Sequence, residues 1–152
     1  MAASIRQQVV SAFLARMDGV ISPTPADLKN RLLWPITGVI DGEDVVTRVE
    51  YGSNYVTMAM RVERIDEYDS QGALGRYGST EKHIVGNQME ADIIYTAINA
   101  DRTLAGLCQD IRYIGASVVY PDGDSHLIGA FVNFEIDFRF DVGDPYTDSY
   151  TE

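Results

Sequence analysis

The stretch IGAFVNFEIDFRF, Ile128 to Phe140, decides the fold. Ile128, Ala130, Val132, Phe134, Ile136, Phe138 and Phe140 fall on one side of an extended chain, and Asn133, Glu135, Asp137, Arg139 and then Asp141 fall on the other. That period of two is the mark of a strand with one face in a core. At about 3.4 Å per residue it would span about 40 Å, well beyond the usual five or six residues, so the sequence predicts a strand in need of a partner outside its own core.

Upstream, Ile111 to Tyr120 alternates in the same way, and Pro121-Asp122-Gly123-Asp124 supplies turn residues, which predicts an antiparallel hairpin with the long strand. Before it, roughly Glu81 to Ala100 has helical spacing, with Thr80 as cap. Val85, Met89, Ile93 and Ala97 form one apolar stripe and Ile84, Ala91, Ile94 and Ile98 a second, which predicts a helix buried on two faces, either between its own sheet and the first helix or against a neighbouring subunit. Tyr55 to Ile65 alternates as a strand. Ile36 to Ile40 and Val45 to Val49 read as a hairpin folded at Asp41-Gly42. Ser4 to Met17 reads as a helix capped by Ser4, with Ile5, Val9, Phe13 and Met17 on one side and an end at Asp18-Gly19.

These elements predict an α+β fold. One domain over residues 1–143 would hold a mixed, mostly antiparallel sheet of about four or five strands with a long C-terminal hairpin, packed by two main helices. An extended acidic tail over 144–152 would follow. Between strand and helix, Asp66 to Thr80 is a long irregular segment, and loops of that length tend to be functional. Its Tyr68, Leu74, Arg76 and Tyr77, with Tyr146 and Tyr150 of the tail, are candidate contacts to other subunits or partners, because aromatic residues and arginine are enriched in interfaces.

The net charge of −11 is uneven: residues 1–76 hold eight Lys or Arg against ten acids, residues 77–152 four against thirteen. Phosphate contacts need clustered cations, so the chain is not expected to grip DNA, although DNA could slide past it. No long apolar run occurs, and the amphipathic start differs from a signal peptide, which predicts a protein made and kept in a cytoplasm, with no membrane partner. The lone Cys108, among Leu104, Leu107 and Ile111, reads as a small buried hydrophobe.

Chemistry is sparse. His83 and His126 lack metal-ligand spacing, no nucleophile motif occurs, and the glycines at 72, 75 and 78 lack the Lys-Ser or Lys-Thr of a phosphate loop. No catalytic, metal or cofactor site is predicted. Glu135 and Asp137 share a strand face and could form an acid/base pair, but acids alternating along a strand more often line a solvated surface or channel.

Several stretches resemble the tail terminator (tail-completion) proteins of long-tailed bacteriophages. They are the opening helix from Ile5-Arg6 to Arg16, the run from Arg31 to Pro35 leading to Ile40-Asp41-Gly42-Glu43, and above all ADIIYTAINADRTLAGL, IRYIGASVVYPDGD and IGAFVNFEIDFRFDVGDPY within residues 91–146. The resemblance implies a non-enzymatic virion protein that forms a hexameric ring at the head-proximal end of the tail tube. Such a ring stops tube polymerisation and seats the head connector or stopper, with the genome only passing through. Glu135, Asp137 and Asp141 would then face the channel. The alternatives are a head–tail joining or neck protein, a small acidic enzyme or ligand-binding domain using Glu135 and Asp137, and an acidic mimic of nucleic acid.

Overall fold

Six elements follow one another in the order helix, strand, strand, helix, strand, strand: α1 (Ile5–Ile21), β1 (Ile36–Glu50), β2 (Ser53–Glu67), α2 (Lys82–Ile98), β3 (Asp110–Val119) and β4 (Leu127–Asp141). The computed structural model describes residues 2–21, 36–67, 82–119 and 127–150. Most of the 66–80 segment with Tyr68, Leu74, Arg76 and Tyr77, and the 121–124 turn, lie outside the described residues. The four strands form one sheet, in the order β1-β2-β4-β3, and every neighbouring pair is antiparallel. This is the α+β single domain expected, with the mixed sheet resolved as wholly antiparallel among the described strands.

The long last strand finds its partners inside the domain. β4 pairs with β2 along all fifteen residues, from Leu127 against Glu67 to Asp141 against Ser53, and with β3 on its other side. Its apolar row lies under the helices, with Ile128, Ala130, Val132, Phe134 and Ile136 fully buried. The expectation of an outside partner for β4 therefore fails: β2 is equally long, so the strand has company along its whole length.

The hairpin that was expected at Asp41-Gly42 lies elsewhere. β1 runs unbroken through those residues and turns at Tyr51-Gly52, whose φ values of 51° and 78° are those of a two-residue type I′ turn closed by the Glu50–Ser53 pair. At Asp41-Gly42 the register shifts instead, so that the step from Asp41 to Asp44 faces only Met60 to Met58. That extra residue is a bulge. Gly42 presses on Ala59, where a Cβ would come within 3.2 Å of the alanine methyl. Arg6 of α1 clamps the bulge by hydrogen bonds to both carboxylate oxygens of Asp44, to Asp41 at 2.5 Å and to the Gly42 carbonyl at 2.8 Å.

Both helices lie on one face of the sheet. Ser4 caps α1, its hydroxyl accepting from the Gln7 amide at 3.1 Å, and the stripe Ile5, Val9, Phe13, Met17 is buried as spaced. The helix continues through Gly19 to Ile21, past its expected end. In α2 the stripe Val85, Met89, Ile93, Ala97 is buried on the sheet and against α1. The second stripe is not covered: Ile84 and Ala91 are exposed, and Ile94 and Ile98 are only half-buried against the margin of the core. The helix lies beside α1 and not between α1 and the sheet, so among the described residues one face alone is covered.

A tight connection joins α2 to β3. Leu104, Ala105 and Gly106 are all left-handed, with φ of 50°, 58° and 90°, a conformation costing about 1–2 kcal/mol for each residue with a side chain. The Asp101 carboxylate holds them, accepting from the Thr103 hydroxyl at 2.7 Å and from the Thr103 and Ala105 amides at 2.8 and 2.7 Å. The turn delivers Leu104 and Cys108 into the core, where burial pushes the thiol up to about 12. The Thr103 hydroxyl and the two amides in turn lower the Asp101 carboxyl to about 2 from an ordinary 3.8. A depressed folded value means stability that is present above the unfolded value and is lost as pH falls from near 4 through 2. Melting temperatures measured between those limits should fall more steeply in the natural protein than in Asp101→Asn, and parallel curves would refute this role.

Candidate interaction surface

The face of the sheet away from the helices is open and concave. Its floor is Thr57, Ala59 and Arg61 of β2 with Asn133, Glu135 and Asp137 of β4, and its walls rise from the two edge strands. One hollow of about 280 Å³ lies between Ile40 of β1 and Ile114 of β3, over Ala59 and Asn133. Beside it, one of about 400 Å³ is bounded by Glu43 and Val45 on one wall and Arg112 on the other, and a third of about 380 Å³ by Arg48, Tyr55, Gln109 and Arg112. The small side chain of Ala59 at the centre leaves the trough its depth.

The charges on this face are paired with one another. Arg112, from β3, reaches across to β4 and binds both oxygens of Asp137, with Glu135 at 3.5 Å and Asp110 at 3.9 Å beside it. Asp110 in turn takes two hydrogen bonds from Arg102 at 2.8 and 2.9 Å. Burial would raise the Asp137 carboxyl, but the hydrogen bonds from Arg112 and from the Thr57 hydroxyl at 2.7 Å outweigh it and hold the group below its usual range. Nearby, Arg61 lies over Phe131 at 4.6 Å and Arg48 over Tyr55 at 4.2 Å.

This arrangement bears on two readings of the sequence. A general acid needs a raised pKa, and Asp137, held ionised under a guanidinium, is set for charge pairing and not to donate a proton. Glu135 and Asp137 do face the open side together, yet Arg112 neutralises much of their charge, so they do not make the bare acidic lining that alternation alone suggested. The missed partner was Arg112, whose place opposite Glu135 depends on the register across a turn whose geometry sequence does not reveal.

The tail is not loose as far as residue 150. After β4 the chain turns at 142–146 and comes back along the strand, the Asp141 amide donating to the Thr147 carbonyl at 2.8 Å. The carboxylate of Asp141 accepts from the Ser149 hydroxyl and amide at 2.6 and 2.8 Å, bonds that keep its pKa low. Arg139 is gripped by Asp148 at 3.0 Å and lies 4.1 Å over the Tyr150 ring, which fixes that tyrosine against its own chain, whereas Tyr146 stays exposed. At the corner of the turn the Ile5 amide donates to the Pro145 carbonyl at 2.9 Å.

Exposed aliphatic side chains gather on the two edge strands. On β1 Ile40, Val45, Val46 and Val49 are about half exposed, and on β3 Tyr113 and Ile114 are too. Among the described residues no group of three or more His, Cys, Asp or Glu could hold a metal ion, and no helix is long and apolar enough to cross a membrane. Comparison with protein-family models and with curated proteins finds no match to this chain.

Proposed function

We propose that this chain is a structural protein of a long-tailed bacteriophage, a tail terminator whose copies form a hexameric ring on the head-proximal end of the tail tube. In this reading it assembles in the host cytoplasm, ends up in the neck of the virion, stops tube growth and seats the head connector. The support from sequence is the resemblance carried by residues 91–146, with the opening helix and the Arg31 to Glu43 run.

The observation that carries the proposal is the one-sided architecture. Among the described residues both helices pack on one face, while the other is a trough of mutually paired charges. Charges already satisfied by one another suit a face that borders water, and a surface of alternating sign offers DNA phosphates no patch to hold. Native mass spectrometry of the purified chain, alone and with tube protein, tests the proposal. A closed ring in either sample is the expected result, and a persistent monomer in both would sink it.

A further inference from the structure

We propose that copies of this chain join edge to edge, β1 of one pairing antiparallel with β3 of the next, so that their sheets become continuous. The inference rests on the ring reading for closure alone; the pairing itself follows from the two edges. β1 is a fifteen-residue edge strand, far longer than the usual five or six, and every residue from Ile40 to Glu50 is exposed. A strand like this offers a row of backbone groups that another chain can take up.

The second edge, β3, matches it. Val45 and Val46 are consecutive, one on the open face and one on the helix face, with 55% and 54% exposure. Ile114 and Tyr113 are likewise consecutive, one on each face, with 54% and 42% exposure. Setting β1 beside β3 brings Val45 to Ile114 on the open side and Val46 to Tyr113 on the helix side. Both apolar pairs are then covered by one contact. Cross-strand aliphatic and aromatic pairs of this kind are what stabilise a sheet.

Charge and direction select this pairing over the alternatives. The edge β1 holds Asp41, Glu43, Asp44 and Glu50 against Arg48 of the strand and Arg6 of α1, so two β1 strands set together would still bring an excess of acid to acid. The β3 edge carries Asp110 with Arg112 and Arg102 paired to it, a balanced edge that sets no row of acids against β1. The four strands alternate in direction across the sheet, so β1 and β3 run opposite ways. Copies related by rotation about an axis along the strands therefore meet with antiparallel edges. A head-to-tail contact of that sort closes into a ring when the rotation allows, and the concave open face then turns inward.

The test uses two full-length single variants, Val45→Cys and Ile114→Cys, and a short bismaleimide cross-linker. Both positions are exposed, so folding is preserved and is checked by circular dichroism, and the buried Cys108 leaves little background. Mixing the two variants should give about tenfold more cross-linked dimer than either alone, since only the mixture offers both sides of a β1–β3 contact. The double variant should give a ladder ending at one closed size. Dimer from Val45→Cys alone, or no cross-link in samples that native mass spectrometry shows to be rings, overturns the edge pairing and leaves the ring standing. A mixed cross-link with a ladder that has no final size supports the pairing and removes the ring.

Discussion

Replacing Phe134 by alanine should lower stability by about 3–5 kcal/mol, the range for removing a fully buried phenylalanine. For a chain of this size that corresponds to a fall in melting temperature of about 10 °C. Phe134 sits in β4, one of the two strands that pair on both sides, and has no exposed surface. Its ring meets Phe13 of α1 edge-on at 5.7 Å and Tyr113 of β3 at 6.3 Å, so one side chain joins helix, central strand and edge strand. The site cannot collapse, since β2 and β3 fix the backbone on either flank. Phe140, in the same row but only partly buried at its end, serves as the comparison, and Phe140→Ala should cost less than half as much. Equal losses in denaturant titrations would show that the row does not bear its load at Phe134.

The second large effect is expected at Gly86. This residue is buried within α2, where an added Cβ would lie 2.3 Å from the Val118 Cγ1 of β3 and 3.2 Å from the Ile128 Cδ1 of β4. Glycine costs about 1 kcal/mol against alanine in a helix, so its presence there marks a close approach of helix and sheet. Gly86→Leu forces the two apart and should destabilise by about 3 kcal/mol, the upper end for overpacking. Val118 is stiff at its branch and cannot turn away. Removing its methyls in Gly86→Leu/Val118→Ala should return part of the loss, and a coupling energy near zero in that cycle would place the clash elsewhere.

Periodicity carried most of the fold. The rows on β2 and β4, the cap at Ser4, the α1 stripe and the main stripe of α2 are all local patterns, and each lies where its spacing put it. The errors share a cause. Asp41-Gly42 has the chemistry of a turn, but Arg6, distant in sequence, holds it flat as a bulge, and the turn forms at Tyr51-Gly52 where a non-glycine residue accepts a positive φ. The second stripe of α2 is real as a pattern, yet of its two possible covers α1 is not one, since it lies to one side. Likewise the acids of β4 are visible in sequence, whereas their neutralisation depends on a cross-strand register with β3. The hook of the tail is fixed by scattered polar bonds that have no period to read.

The hydrogen bond from Ile5 to Pro145 brings the opening of the first helix to the tail that follows the last strand. A circularly permuted form of residues 2–150, joined by a linker and opened instead between Tyr51 and Gly52, would retain all three strand pairings and both helices. Such a rearrangement would move the free ends to the tip of the β1–β2 hairpin, beside the hook, where the Val142 amide donates to the Gly52 carbonyl at 2.9 Å, without redrawing the core.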